Sequence, residues 1–434
     1  VRLPLLNIPD VAAAQLCTGC GACAGVAPQR YHMVDVSAVG RRPARLESAD
    51  AGRADRATDG VERAALAVCP GAGLRHTFDE ADPGLTRALR RSWGPVYEVW
   101  EGHATDPEIR RAGSSGGAAT ALALWALERG QMHGVFHTAA DPDVPYLNKT
   151  VLSASRAELL AATGSRYAPA SPAEGLPRVA AAPGPCVFIG KPCDVAGVQA
   201  ARRLDTGLDA KLGLVIAFFC AGTPSTQATL DLMKKVGVHD PALVTSLCYR
   251  GNGWPGEWVV RWREGPTPNE GAEREARLSY AESWDFLQRY RQWRCYICPD
   301  HTGEFADIAV GDPWYRQIQH GEHGSSLLIT RTRCGVEILH RAAADGYITL
   351  LRRDHTLLPR SQPNLLRTRG RLWWQLLSLR LANQPTPRYD GFPSLHRFVR
   401  LTPRPIAQSL LGTVRRYRTK AAAALDAQRK AGLK

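Results

Sequence analysis

Two groups of cysteines have the residue types and spacing for metal chemistry. Cys17-Thr-Gly-Cys20-Gly-Ala-Cys23 is a C-x2-C-x2-C run, the spacing with which ferredoxin-type loops bring three thiolates to three irons of a cubane cluster. Thiolates suit iron in a sulfide cage because soft metal centres prefer sulfur donors. Gly19 and Gly21 let the loop close around such a cluster. In a two-cluster ferredoxin the run continues x3-C-P, and that fourth cysteine serves the other cluster. Here the position reads Ala27-Pro28, and a Cys-Pro pair occurs instead at Cys69-Pro70. The pattern predicts that Cys69 closes the site begun by Cys17, Cys20 and Cys23, giving one 4Fe-4S cluster. The alternative is a four-thiolate zinc site, although zinc motifs usually come as two C-x2-C pairs.

The second set is scattered: Gly-Lys-Pro-Cys193-Asp, Phe-Phe-Cys220-Ala-Gly and Cys295-Tyr-Ile-Cys298-Pro-Asp. Cys193 and Cys220 each follow an apolar stretch of strand character, which predicts them at the carboxyl edge of a sheet, where α/β folds place their sites. Together the four could hold a second cubane. Two buried structural cysteines beside a small zinc knuckle fit the same spacing. Cys186, Cys248 and Cys334 stand alone and read as packing residues.

Other stretches carry weaker signals. Gly113-Ser-Ser-Gly-Gly117 lies between a predicted strand and a predicted helix, where free backbone N–H groups could receive a phosphate or pyrophosphate; a tight turn gives the same pattern. Gly164-Ser-Arg166-Tyr167 offers a guanidinium and an aromatic face, or simply a salt bridge. Tyr249-Arg-Gly-Asn-Gly-Trp-Pro-Gly256 combines turn formers with large aromatics, as binding loops do and as turn buttresses do. Glu304, Asp307 and Asp312 are acid–base candidates near Cys298.

The elements that must position these groups read as mixed α/β. Strands are predicted at VYEVWEGHAT, GVFHT, CVFIG, LGLVIAFFC, ADIAVGD and SSLLITRT, with helices over 118–129 and 335–345. The stretch SADAGRADRATDG reads as a surface loop. No internal repeat is visible.

With 434 residues, 44% hydrophobic and 22% charged, the chain suits two or three globular domains. The longest apolar run, Leu212 to Cys220, falls short of the roughly 20 residues of a membrane span. The start, VRLPLLNIPD, lacks the layout of a secretory signal, so a cytoplasmic protein with reduced thiols is expected. The net charge of +14 is uneven: from Leu351 onward there are 18 Lys and Arg against 3 Asp and Glu, and before it 37 against 38. Charge confined to a tail, without a nucleic-acid fold signature, argues against a nucleic-acid partner. Ile406, Leu410, Val414 and Tyr417 fall at helical spacing beside Arg415, Arg416, Arg418 and Lys420. This predicts a surface helix able to rest on an anionic membrane face, to dock a partner, or simply to be solvated.

The stretches CTGCGAC, EGHATDPEIRRAGSSGG, GSRYAP, GKPCDVAG, FFCAGTPS, YRGNGWPG and RCYICPDHTGEFADIAVGDPW resemble the coenzyme F420 (8-hydroxy-5-deazaflavin) hydrogenase/dehydrogenase beta subunit family, in the family's order over roughly residues 17 to 314. The resemblance, closest to bacterial single-chain members, implies a noncovalent FAD beside a 4Fe-4S cluster at Cys193, Cys220, Cys295 and Cys298. It makes Ser114, Ser115, Gly116 and Gly117 candidates for the flavin phosphates, with Arg166, Tyr167, Lys191 and Asn252 as further cofactor contacts. The implied fold is a ferredoxin-like 4Fe-4S module (1–85), two flavin-core domains (86–180 and 181–358) and a basic helical extension (359–434). The implied function is an iron-sulfur flavoprotein oxidoreductase. One-electron input from a ferredoxin-like donor at the first cluster would reach FAD through the second, and on to an organic substrate; reduced F420 as donor needs the same parts. The alternative is an electron-relaying subunit without substrate chemistry of its own, linked to cell-surface polysaccharide synthesis. Self-association is compatible with either.

Overall fold

Short apolar runs rich in Val, Ile, Leu and Phe become the strands of one eight-stranded sheet. In a computed structural model that describes residues 5–46, 56–265, 271–318, 322–392 and 403–433, these strands are β1 (Glu98–Ala104), β2 (Gly134–Ala140), β3 (Asn148–Ser153), β4 (Cys186–Gly190), β5 (Leu212–Phe218), β6 (Ile308–Gly311), β7 (Ser326–Thr330) and β8 (Ile348–Arg352). Their order is β8-β1-β7-β6-β5-β4-β2-β3. The four strands β2, β4, β5 and β6 run parallel, and the outer ones pair antiparallel. β4 and β7 are buried at every position, the continuous apolar pattern expected of strands covered on both faces.

The covering is visible in two alternating sets of side chains. Phe136, Phe188, Val215, Ala309 and Leu327 pack on one face; Val135, Val187, Leu214, Ile308 and Leu328 pack on the other. Each such fully buried Val, Leu, Ile or Phe contributes about 1.5–3 kcal/mol. Helix α1 (Ala118–Glu128) is apolar nearly all round and lies in the second layer, as an all-apolar helix must. Helix α2 (Pro192–Arg202) follows β4 and covers the first face.

The N-terminal segment adds an antiparallel hairpin, Tyr31–Val36 with Gly40–Arg45. Helices α3 (Pro363–Leu381) and α4 (Pro403–Lys430) return to it: Leu372, Leu376 and Leu379 share one buried cluster with Cys17, Cys23, Cys69 and Trp293. The predicted strands and both predicted helices are present, the latter as Ala118–Glu128 and Arg333–Ala344.

Some expectations need correction. Of the predicted surface loop SADAGRADRATDG, residues 48–55 lie outside the described residues, and Arg56–Gly60 begin a helix, Arg56–Ala67. The apolar stripe of the tail, Ile406, Leu410, Val414 and Tyr417, is half-buried rather than exposed. Tyr417 packs against Trp293 at 5.3 Å between ring centroids, and Ser378 Oγ donates to the Leu410 carbonyl at 2.6 Å, because the stripe covers apolar surface of the cysteine-bearing segment. Helix α3 and a three-stranded sheet of Val244–Cys248, Glu257–Glu264 and Ala272–Ser279 had no counterpart in the sequence reading. Among the described residues no helix is long and apolar enough to cross a membrane.

Candidate functional site

Cys17, Cys20 and Cys23 lie on one tight loop and are 6–8% exposed, with Cys69 at 9%. Gly21, at φ +86°, opens the turn, and a side chain there would meet the backbone of Ser171 and Glu174 at 2.8–2.9 Å. Burial pushes the Cys69 thiol up to about 11, and it raises Cys20 and Cys23 further; neighbouring sulfurs of the same set add to the rise. Four such sulfurs become thiolates together only around a cationic centre. The Thr18 hydroxyl, buried between the first two cysteines, favours the Cys20 thiolate. Thus the donors, their burial and the neighbouring hydroxyl all fit a metal-sulfur group.

The second set comes from three separate places. Cys193 begins α2, Cys220 follows β5, and Cys295 and Cys298 flank the end of a 3-10 turn, Trp293–Ile297. All four are half-buried. Burial first, then neighbouring charges that include other sulfurs of the set, lift Cys220 and Cys298 to about 12 and Cys193 well above its usual value. Thr223 N donates to Cys295 Sγ at 3.4 Å, and His301 Nδ1 lies 2.8 Å from the Cys220 carbonyl, leaving its Nε2 buried and unpartnered among the described residues. No three His, Cys, Asp or Glu side chains among the described residues are close enough to hold a single metal ion. A zinc ion would need its sulfurs about 2.3 Å from one centre; cubane ligands each reach a different iron and stand further apart.

Helix α2 joins the two sets. Cys193 opens it, and one turn later a side chain at Gly197 would lie 3.7 Å from Cys20 Sγ. Two buried guanidiniums also bridge the interval. Arg294 donates to Pro70 O at 3.0 Å and to Ile297 O at 3.3 Å, and Arg42 donates to Gln292 Oε1 at 3.2 Å and feels both Cys17 and Cys295. Buried cations require negative partners, which thiolate-bound clusters would supply.

Beside the second set opens a cavity of about 300 Å³. Its wall takes residues from the carboxyl end of every parallel strand: His137 and Thr138 from β2, Gly190 ending β4 and Lys191 after it, Phe219 and Cys220 after β5, and Gly311 ending β6 and Asp312 after it. Such a crevice is where open α/β sheets bind ligands. Ser114, Ser115 and Gly117 line it together with the first turn of α1, whose N-terminus carries no side-chain cap. Uncapped N–H groups there favour an anion. Gly117 sits at φ +69°, and a side chain would come within 2.5 Å of Ile109 O.

Of the other predicted cofactor contacts, Arg166, Tyr167 and Lys191 line the cavity. Arg166 is largely committed elsewhere: its guanidinium donates to Asn148 Oδ1, Leu247 O, Pro145 O and Leu147 O. Burial works against the charge of Lys191, but Asp194, 2.7 Å away, and then the Cys193 and Cys220 sulfurs outweigh it and hold the ammonium. Gly116 shapes the loop from behind, its carbonyl accepting from Ala104 N at 2.8 Å, and does not line the cavity. Asn252 is exposed at φ +59° in a turn outside the lining.

Residues not singled out complete the wall. Arg250 is 3% exposed and forms a bidentate pair with Asp312 at 2.6 and 3.0 Å, while its guanidinium lies 4.4 Å from the Tyr280 ring centroid. Tyr280 stacks on Trp314 at 9° between planes. Arg250 and Trp314 stand inside YRGNGWPG and GDPW, so the motifs contain the signal, at residues other than the Asn252 that the resemblance implies. Of the three acid–base candidates, Asp312 alone lines the cavity. Glu304 is buried against His76 and Arg369, and Asp307 accepts from Val215 N and Thr332 Oγ1. Cys186 is buried, Cys248 half-buried and Cys334 exposed, so packing accounts for Cys186 but not for Cys334.

Known proteins resemble this chain in sequence and in fold. Residues 99–176 match the N-terminal model of the coenzyme F420 hydrogenase/dehydrogenase beta subunit, and residues 185–355 match its C-terminal model. The coenzyme F420 hydrogenase subunit beta of Methanosarcina barkeri is 25% identical over 56% of this chain and 77% of its own length. The F420-dependent formate dehydrogenase 1 subunit beta of Methanococcus maripaludis is 25% identical over 58% of this chain and 60% of its own. A chain of the xenon-derivatised F420-reducing NiFe hydrogenase complex from Methanosarcina barkeri shares the fold, with a TM-score of 0.51, 21% identity, and coverage of 66% of this chain and 94% of that one. With both models matched in order and their junction falling between β3 and the strand that leads to Cys193, the chain belongs to the coenzyme F420 hydrogenase/dehydrogenase beta subunit family.

Proposed function

We propose that this chain is an iron-sulfur flavoprotein oxidoreductase that passes electrons between two 4Fe-4S clusters and FAD, and from there to or from coenzyme F420 or another organic substrate. Family membership supports the electron-transfer role. One observation carries the rest: Cys220, a member of the second sulfur set, is part of the wall of the same cavity that the glycine-rich loop and the uncapped start of α1 line.

In this reading Cys17, Cys20, Cys23 and Cys69 hold one cluster and Cys193, Cys220, Cys295 and Cys298 the other. When bound, the clusters supply one-electron transfer and FAD supplies the exchange of single electrons for hydride. The chain orients and tunes. The Ser114–Gly117 loop and the N–H groups of α1 receive the pyrophosphate, and Tyr167, Tyr280 and Trp314 present ring faces. Lys191, between the cavity and the sulfurs of Cys193 and Cys220, offsets negative charge on either side. Asp312 is neutralised by Arg250, so the pair fixes the wall rather than moving a proton.

The test is an anaerobic preparation with iron, acid-labile sulfide and flavin counted per chain, followed by ultraviolet-visible and EPR spectra. Two distinguishable reduced clusters and one flavin are expected. Zinc without sulfide would defeat the reading. Hydride exchange with F420 on the same preparation then separates an enzyme from a relay subunit.

A further inference from the structure

One aromatic ring at the surface has three cations around it. The Tyr296 ring centroid lies 5.0 Å from the Arg291 guanidinium, 4.9 Å from that of Arg416 and 5.4 Å from Lys420 Nζ. Tyr296 adjoins Cys295, and both are half-buried, while Arg416 is exposed. Lys420 donates to the carbonyls of Arg289 at 3.4 Å and Arg291 at 2.9 Å, which pins α4 against the segment leading to Cys295. Arg291 spends its hydrogen bonds on the Gln288 and Ala221 carbonyls. None of the three cations has a carboxylate partner in an ion pair among the described residues. Each cation–π contact at an exposed site offers only about 0.5–1 kcal/mol, and three like charges on one ring repel, so packing alone does not account for the grouping. Its position does: it is a rigid positive surface at the outer edge of the second cysteine set.

We propose that Arg291, Arg416 and Lys420 around Tyr296 form the docking surface for an acidic one-electron carrier protein, which exchanges electrons with the metal centre at Cys193, Cys220, Cys295 and Cys298. This rests on the functional reading above for the presence of that centre. It moves the entry point from the N-terminal cysteines, whose sulfurs are buried, to the half-exposed set. The exchange is one electron: the reduced carrier is oxidised by one, the centre is reduced by one, and no bond forms or breaks. A positive patch of this kind steers an acidic partner and raises its association rate, most strongly at low salt. A lipid surface fits less well, because the apolar stripe of α4 is half-buried and its Tyr417 packs on Trp293.

The experiment uses the anaerobic holoprotein and an acidic 4Fe-4S ferredoxin. The dissociation constant of the oxidised ferredoxin and the second-order rate of reduction by the reduced one are measured from about 0.05 to 0.3 M salt. The wild type should bind and react more weakly as salt rises. Arg416→Glu should weaken binding and slow reduction by about tenfold or more at low salt, while reduction by dithionite is unchanged. Arg429→Glu makes the same change in net charge on the same helix, about 20 Å further along at 1.5 Å per residue, and should match the wild type. Equal effects of the two variants, no effect of Arg416→Glu, or a salt-independent wild-type rate would each overturn the proposal. So would binding to anionic vesicles that Arg416→Glu abolishes, which would assign the surface to lipid. Iron, sulfide and flavin counts come first: if the second cluster is missing from the wild type, the functional reading fails, whereas full counts without ferredoxin binding sink the docking surface alone.

Discussion

The two cysteine sets lie on either side of one helix, yet they are built on opposite plans. The first comes from one loop plus Cys69, and it is sealed by the hairpin, α3 and α4 in a shared apolar cluster. The second is assembled from three strand-end or turn segments, is half-buried, and opens on the cavity. A sealed site couples its metal to the folding of the chain around it, since binding energy becomes folding energy. An open site at strand ends can exchange with a bound ring and an outside partner, while the rigid sheet holds its ligands in place. Under the proposed function this contrast divides the work: the first site would be structural and electron-storing, the second the junction.

The largest expected effects test that division directly. Cys220→Ser should remove about half of the iron and abolish electron flow to the flavin, while the thermal midpoint moves little. Cys23→Ser should lose the same share of iron but also lower the midpoint sharply, as loss of a structural metal does. Calorimetry with iron counts checks both, and equal destabilisation by the two changes would break the comparison.

Next comes the cavity wall. Arg250→Met leaves Asp312 unpaired in a largely buried place and should cost about 3–5 kcal/mol, with loss of flavin affinity and retention of iron at the first site. Flavin fluorescence on dilution, read beside denaturant unfolding, measures both.

Acid should affect the cavity side first. Burial lowers His137 from 6.5 to about 4, with Nε2 set 2.8 Å from Ser153 Oγ. Because the folded value lies below the unfolded one, the unfolded chain takes up more protons between those limits. Stability therefore falls as pH drops from about 6.5 to about 4, by up to roughly 3 kcal/mol in total. His137→Asn should flatten that slope, as unfolding at successive pH values would reveal; an unchanged slope would assign the acid sensitivity elsewhere.

The smallest effect belongs to Asn252. At φ +59° it holds a turn, so Asn252→Ala should cost about 1 kcal/mol of backbone strain and leave flavin affinity untouched. A fall in flavin occupancy would extend the cofactor site beyond the cavity.

How much was legible follows from what each signal depends on. The C-x2-C-x2-C loop and the displaced Cys69-Pro70 pair were readable because local spacing dictates how a loop brings sulfurs together. The parallel strands are readable as uninterrupted apolar runs, which puts Cys193 and Cys220 at the carboxyl edge of the sheet. Arg166 and Arg250 were not separable in this way. Both stand in motif-like stretches, yet one is consumed by backbone carbonyls 19 to 81 residues away and the other pairs with Asp312. The amphipathic tail likewise showed a stripe without showing what would cover it.

By itself, then, the sequence determined local things: the cysteine loop, the α/β alternation, the phosphate-type loop before α1, and the family these motifs resemble. Only the tertiary structure decided that α2 carries Cys193 one turn from the contact with Cys20, that Cys220 walls the cavity, and that α4 lays Arg416 and Lys420 beside Tyr296. The reason is physical: spacing along a chain governs contacts within a turn or a strand, whereas contacts between distant segments depend on which apolar faces bury each other.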